Sequence, residues 1–566
     1  MSTLTEATTT PSVSSHRWWK EAVVYQIYPR SFADSNGDGI GDIPGIIDKL
    51  DYIADLGVDV IWLSPHFDSP NADNGYDIRD YRKVMREFGT MDDFDRLLTG
   101  IKHRGMRLII DLVVNHTSDE HQWFVESRRS RDDPKRNYYI WRDGALGVPN
   151  NFTSFFAGSA WQRDEATGDY YLHYFARKQP DLNWGDPRVR ADVYDIMRFW
   201  LDKGVAGFRM DVIPFISKDQ AFPDLTPEQL AHPEFVYANG PRVHEYLQEM
   251  RREALSAYDT MTVGEAFGVT EAQTPLFVDE RRGELDMIFN FDVVRIDRDG
   301  WRRIDWTLPA LKAIYARLDA AVGPHGWNTV FLGNHDNPRA VSHFGDDSPE
   351  GRVPSAKALA TMMLGQRGTP FIYQGEELGL TNFPFERIEQ FDDVEVKGTW
   401  AQDVLSGRVP ADEYLSHLRH TSRDHARTPM PWSALANGGF TTAEKPWLAL
   451  HPDFATINAE AALADEDSVY RHYQRLLKLR RETPALIYGD YRDLDPAHQR
   501  LFVYLRTLGD ERVLVAVNLG SDEETLRLPA GMAARELLLG NLPTRTGLTH
   551  ATELALAPWE ALILRV

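Results

Sequence analysis

The sequence predicts an α/β fold: an eight-stranded parallel (β/α)8 barrel of TIM type. It carries a small domain inserted after strand 3 and a C-terminal antiparallel β-sandwich. Three features lead there. Eight short apolar runs alternate with amphipathic, helix-like stretches, the pattern of βαβ units in a parallel sheet. Three segments end on an ionisable side chain: GFRMD (207–211), TVGE (262–265) and FLGNHD (331–336). Strand ends of a barrel converge on one face, where active sites sit. Beyond about Ala485 the alternation gives way to short β-like runs.

In chain order, the first 17 residues are Ser/Thr-rich with no apolar core, so they read as a disordered tail and not as a signal peptide. The barrel strands follow at AVVYQIY (22–28), VIWL (60–63), RLIIDLVV (107–114), GFRMD, TVGE, DMIFNF (286–291), NTVFLGN (328–334) and TPFIY (369–373). Residues 117–183, rich in Trp, Tyr, Phe, Asn and Gly, are too many for a bare loop and read as an inserted domain. The barrel then takes 18–116 and 184–485. RLFVYLRT (500–507), RVLVAVNLG (512–520) and EALILRV (560–566) belong to the sandwich over 486–566, for which packing is the default role. A fixed short repeat is absent, which argues against a solenoid.

The 566 residues contain no cysteine, which excludes disulfides, Cys-ligated zinc and thiol catalysis. A formal charge of −23 repels phosphates and argues against a nucleic-acid surface. No run approaches the roughly 18 apolar residues of a membrane helix, so the expectation is a soluble, cytoplasmic protein. Neither nucleic acid nor a membrane is expected as a partner. No oligomeric state is legible.

Asp211, Glu265 and Asp336 stand at three predicted strand ends and are therefore expected to meet. Cleaving a glycosidic bond needs one ionised carboxylate and one protonated carboxyl flanking that bond. The nucleophile wants a cation beside it. Arg209, two positions before Asp211, points to the same strand face. The acid has to enter with its proton, which asks for desolvation or a neighbouring like charge.

Together with DLVVNH (111–116) and QPDLNW (179–184), these segments form an ordered set that resembles the α-amylase superfamily (glycoside hydrolase family 13) over nearly the whole chain. The resemblance implies that Asp211 is the nucleophile, Glu265 the general acid/base and Asp336 a transition-state stabiliser. It also implies a retaining mechanism without organic cofactor, with His116 and His335 at the bound glucose.

Finer matches bear on the substrate. Asp73 and Tyr76 in NADNGYDIRDY (71–81) and Arg423 in SRDHARTPMPW (422–432) resemble the residues that close the glucose pocket of exo-acting α-glucosidases. There an Asp–Arg pair across the pocket end leaves room for one non-reducing glucose. QPDLNW, with Val212 after the nucleophile, looks like the oligo-1,6-glucosidase subfamily. Arg295 and Arg298 in RIDRD (295–299), Phe267, Phe291 and Glu395 in FDDVEVKG (391–398) resemble the acceptor side of sucrose isomerases. The favoured reading is a retaining exo-α-glucosidase for short α-glucosides, including α-1,6 linkages and glucose–fructose disaccharides. A sucrose isomerase or another α-glucosyl transferase is the alternative.

DSNGDGIGD (34–42) sets Asp34, Asn36, Asp38, the Ile40 carbonyl and Asp42 at alternate positions around Gly39. That spacing resembles an EF-hand loop, although Gly45 stands where the bidentate Glu would be. In the α-glucosidase branch such a loop binds structural Ca2+ or Mg2+.

Overall fold

The structure, a computed structural model, describes residues 17–543, 545 and 548–566. The tail predicted over 1–17 thus lies, except for Arg17, outside the described residues. Eight parallel strands form the central sheet: β1 (Val24–Ile27), β2 (Val60–Leu63), β3 (Arg107–Leu112), β4 (Gly207–Met210), β5 (Met261–Glu265), β6 (Met287–Phe289), β7 (Thr329–Val330) and β8 (Thr369–Tyr373). Seven of the eight fall inside the predicted runs, and β5 starts one residue ahead of its run, at Met261. Their spatial order is β6-β5-β4-β3-β2-β1-β8-β7. Each ladder is parallel, with Val24 opposite both Val60 and Phe371, and Arg209 opposite both Asp111 and Val263. No ladder joins β6 to β7. The Thr329 hydroxyl donates to the Ile288 carbonyl at 2.8 Å across that seam.

Local sequence sets the elements around this sheet. The helix Met91–His103 starts at a capping box in which Thr90 and Asp93 satisfy each other's backbone N–H groups. The helix Pro187–Lys203 has Asp186 as N-cap and Pro187 at its first position, and it stops at Gly204, whose φ is 101°. Strand β4 enters at Gly207, where a Cβ would stand 1.8 Å from the Met261 carbonyl. Only glycine allows β4 and β5 to approach so closely there.

Between β3 and β4 the inserted segment forms a three-stranded antiparallel sheet of Trp141–Arg142, Tyr170–Leu172 and Trp161–Arg163. Its core, including Phe152, Trp161 and Tyr174, is continuous with Val212 and Phe215 after β4. At the C-terminus a five-stranded antiparallel sheet and a two-stranded one enclose an aliphatic core that includes Leu514 and Leu562. The predicted C-terminal boundary is shifted: residues 486–488 lie in the helix Pro484–Tyr488, and the first strand starts at Asp490. Pro484 at the first helical position favours that helix. No helix among the described residues is long and apolar enough to cross a membrane.

Candidate active site

The C-terminal ends of β4 and β5 bring Asp211 and Glu265 to one cavity. Between them lies the buried guanidinium of Arg209. Its Nη1 is 2.7 Å from Asp111 Oδ1 and 2.5 Å from Asp211 Oδ1, and its Nη2 is 2.6 Å from Glu265 Oε2. One cation thus serves three carboxylates. Burial pushes the Asp211 carboxyl well above its usual range; Arg209 opposes this, and the charges of Glu265 and Asp111 add to it.

Directly after Asp211 the chain turns through Val212 at φ 34° and ψ 40°. A β-branched residue in the left-handed region is an outlier, at a cost of about 1–3 kcal/mol. The turn aims the Val212 N–H at Glu265 Oε2, 3.0 Å away. Val212 also lines the cavity, next to both carboxylates.

Asp336, on the loop after β7, faces the same cavity. Arg423 Nη1 and Arg427 Nη2 stand 3.2 and 2.7 Å from its Oδ1, and His335 Nε2 lies 3.1 Å from its Oδ2. Burial alone would raise this carboxyl, but His335 and the two arginines outweigh it and hold Asp336 well below the usual carboxylate range. His335 is fixed from both sides: Gln26 Nε2 is 2.8 Å from its Nδ1 and Tyr76 Oη 2.7 Å from its Nε2, with the Tyr76 ring stacked on the imidazole.

Asp73, Tyr76 and His116, all buried, line the same cavity. Gln179, the first residue of QPDLNW, links them: its Nε2 donates to Asp73 Oδ2 at 2.9 Å and stands 3.2 Å from His116 Nε2. Burial pushes His116 down to about 3, so it is a neutral imidazole. Arg423 lines the same cavity, but among the described residues it makes no ion pair within 4 Å with Asp73. Its partners are Asp393, Asp336 and, at 3.4 Å, Glu395. The predicted Asp73–Arg423 pair is therefore corrected: the two groups share the cavity, and the nearer carboxylates take the guanidinium.

The outer wall is aromatic and basic. Phe267 and Phe291 pack with ring centroids 5.4 Å apart, and the Arg295 guanidinium lies 4.8 Å from the Phe267 centroid. Arg298 Nη2 donates to Asn337 Oδ1 at 2.6 Å. Glu395 sits in the helix Val394–Thr399, partly exposed at the rim. The inserted segment adds Phe155, Phe156 and Phe175. Sequence reasoning missed these three, together with Gln179, Arg427, Asp393 and Asp111. Four of the seven lie inside motifs already quoted there; the phenylalanines carry no signal that distinguishes them from core residues.

The Asp34–Asp42 loop is separate from this cavity, none of whose lining residues it supplies. Asp34 Oδ1 accepts from the N–H groups of Asn36 and Gly37, and its Oδ2 from Gly39 N–H and the Thr441 hydroxyl. These four donors match the four acceptor positions of a carboxylate. Asn36 and Asp38 each accept one loop N–H and keep lone pairs free. Asp42 caps the helix Ile43–Asp48 through Gly45 N–H. A cation would therefore meet Asn36 and Asp38 readily, and Asp34 only in exchange for one of its present donors. Among the described residues no group of three or more His, Asp or Glu side chains is arranged to hold a metal.

Comparison with known proteins agrees over nearly the full length. Residues 26–489 match the family described as "Alpha amylase, catalytic domain", and residues 491–563 match a domain of unknown function, DUF3459. An oligo-1,6-glucosidase of Parageobacillus thermoglucosidasius is 50% identical over 558 residues, covering 97% of this chain and 99% of the relative. A glucan 1,6-alpha-glucosidase of Streptococcus pneumoniae is 45% identical over 551 residues, covering 96% and 98%. Among solved structures, the trehalulose synthase of Pseudomonas mesoacidophila superposes with a TM-score of 0.96 at 53% identity, covering 97% of this chain and 100% of that one. An isomaltulose synthase of Erwinia rhapontici, solved with sucrose, gives 0.96 at 52%, covering 98% and 100%.

Proposed function

Because this chain belongs to the α-amylase family and is a glycoside hydrolase, we propose that it removes single glucose units from the non-reducing ends of short α-glucosides. The linkages include α-1,6 bonds such as that of isomaltose, and the anomeric configuration is retained. Relatives named for 1,6-glucosidase activity, at 43–50% identity, support the linkage. The observation that carries the chemistry is that Asp211 and Glu265 line one cavity and share one guanidinium. That sharing supports the short carboxyl separation of retaining enzymes, about 5–5.5 Å, over the wider spacing that inversion needs.

In this reading Asp211 attacks the anomeric carbon as the bond to the leaving oxygen breaks. Glu265 gives its proton to that oxygen, which departs as an alcohol. Water then enters: Glu265 takes one of its protons as the water oxygen attacks the anomeric carbon, and Asp211 leaves as a carboxylate. Asp336, held ionised by its cations, complements the oxocarbenium character and binds glucose hydroxyls. Asp73, Tyr76, His116, Arg209, His335 and Arg423 shape the glucose site. Val212, Phe267, Phe291, Arg295 and Glu395 face the departing sugar.

The outer wall favours a second reading, transfer of the glucosyl group to a sugar. Phe267, Phe291, Arg295 and Arg298 line the cavity, and the solved neighbours at 52–53% identity are sucrose-isomerising synthases. A clamp of this kind keeps water from the glucosyl-enzyme while a freed fructose reorients. The test is to incubate the enzyme with isomaltose and with sucrose and to quantify free glucose against rearranged disaccharide. Mostly free glucose is expected; mostly trehalulose or isomaltulose would select the second reading. Asp211→Asn and Glu265→Gln should each lower kcat on isomaltose by roughly 10²–10⁴-fold or more with the melting temperature preserved. Full activity in either would end the assignment.

The Asp34–Asp42 loop is proposed to take Ca2+ or Mg2+ through Asp34, Asn36, Asp38, the Ile40 carbonyl and Asp42. Its alternating oxygen donors support this. Bound there, the ion would tie the loop down without entering the reaction.

A further inference from the structure

We infer that Val212 is a positioning residue for proton transfer: its main-chain N–H pins Glu265 Oε2, so that Oε1 alone carries the transferable proton. This rests on Glu265 being the acid/base. The Val212 N–H at 3.0 Å is the one hydrogen bond that the Glu265 carboxyl receives among the described residues. The other close neighbour of Oε2 is Arg209 Nη2 at 2.6 Å. Both are donors, and a protonated carboxyl can receive a hydrogen bond only on an oxygen that does not turn its own O–H toward that donor. The proton therefore resides on Oε1, which among the described residues has no protein partner. Glu265 lines the cavity, so the group free to meet the glycosidic oxygen is the protonated one. Oε1 gives its proton as that oxygen receives the electron pair of the broken bond, and takes one back from the attacking water.

The backbone points the same way. A valine would settle at negative φ unless the surroundings held it. Asp211 N–H is held by the Leu112 carbonyl at 3.0 Å, and the Val212 carbonyl accepts from Phe215 N–H at 2.9 Å. The chain is thus fixed on both sides of the turn, and the N–H between has one direction. Asp211 and the group that orients its partner carboxyl are consecutive residues, so one turn sets the attack and the proton donation together.

The test removes the N–H and leaves the side chain. Ribosomal incorporation of the α-hydroxy acid analogue of valine at position 212 exchanges the amide for an ester. Isomaltose, whose leaving sugar needs a proton, is compared with dinitrophenyl α-glucoside, whose leaving group does not. The ester should lose kcat/KM by about tenfold or more on isomaltose and by less than about threefold on the aryl glucoside. Val212→Gly, which keeps the N–H and accepts positive φ but removes the side chain facing the departing sugar, should separate the two substrates by clearly less than the ester does. Glu265→Ala, measured alongside, tests the underlying assignment: it should discriminate more strongly than the ester. If Glu265→Ala slows both substrates alike, the acid/base reading falls. If it discriminates while the ester slows both alike or neither, the positioning proposal falls by itself. A split in Val212→Gly as large as that of the ester would move the effect to the side chain and also overturn it.

Discussion

Lys218 Nζ stands 3.2 Å from Asp181 Oδ2, with both side chains almost fully removed from water. The same ammonium donates to Asn115 Oδ1 at 2.7 Å and to the Phe215 carbonyl at 2.9 Å. Three parts of the chain meet on it: the loop after β3, the end of the inserted segment and the turn after β4. Burial drives Asp181 up to about 6, with Lys218 pulling it back. Removing one partner of such a pair leaves a buried charge alone, a loss of about 3–5 kcal/mol. Lys218→Met should lower stability by that amount in chemical denaturation. Adding Asp181→Asn should recover part of the loss, and equal stability of single and double variants would contradict this pairing.

Asp73 makes stability depend on pH. Burial pushes its carboxyl up to about 7, opposed by Arg423 and aided by Asp77, from an ordinary value of 3.8. Between those values the unfolded chain has released a proton that the folded chain keeps. Stability therefore falls as pH rises through that window, by as much as about 4 kcal/mol for this group. Asp73→Asn should flatten that part of the stability–pH curve. An unchanged slope in urea denaturation at several pH values would show that Asp73 ionises normally.

Chelation separates the roles of the loop and the cavity. Treatment of the enzyme with EDTA should lower its melting temperature, by about 1 °C for each kcal/mol that the ion contributes in a chain of this length. Initial rates on isomaltose should stay within about twofold, because the ion proposed for this loop would act by mass action on folding. Immediate loss of turnover at an unchanged melting temperature would place the ion in the chemistry.

Phe267 covers Arg295 and packs against Phe155 and Phe291. Replacing it by Ala opens the outer wall to water. In high concentrations of isomaltose, Phe267→Ala should lower the ratio of transfer products to free glucose by about threefold or more. An unchanged ratio measured by chromatography would remove Phe267 from acceptor capture.

The barrel was legible because its strands are short, apolar and separated by amphipathic, helix-like stretches. Asp211 directly follows β4 and Glu265 ends β5, as such runs suggest, whereas Asp336 lies on the loop after β7, which ends at Val330. What the sequence hid was pairing. Arg209 beside Asp211 follows from the two-residue period of a strand, but its reach to Glu265 depends on β4 and β5 being neighbours in space. Arg423 was read toward Asp73, whereas Asp393 and Asp336 hold it. Competition among carboxylates for one guanidinium is decided by loop geometry, to which spacing along the chain is blind. The phenylalanines of the inserted segment reach the cavity from outside the strands of its small sheet, and nothing in their local sequence marks them.

The gap between β6 and β7 has a mechanical consequence. Everywhere else around the barrel, neighbouring strands are joined by a main-chain ladder; here the Thr329 hydroxyl on the Ile288 carbonyl spans the join. A ring fastened this lightly at one place opens there first, so amide protons flanking that join would exchange ahead of those in β2 and β3. Strand β7 leads through a short loop to His335 and Asp336, which leaves the carboxylate proposed to steady the sugar cation on the most compliant arc of an otherwise stiff hoop.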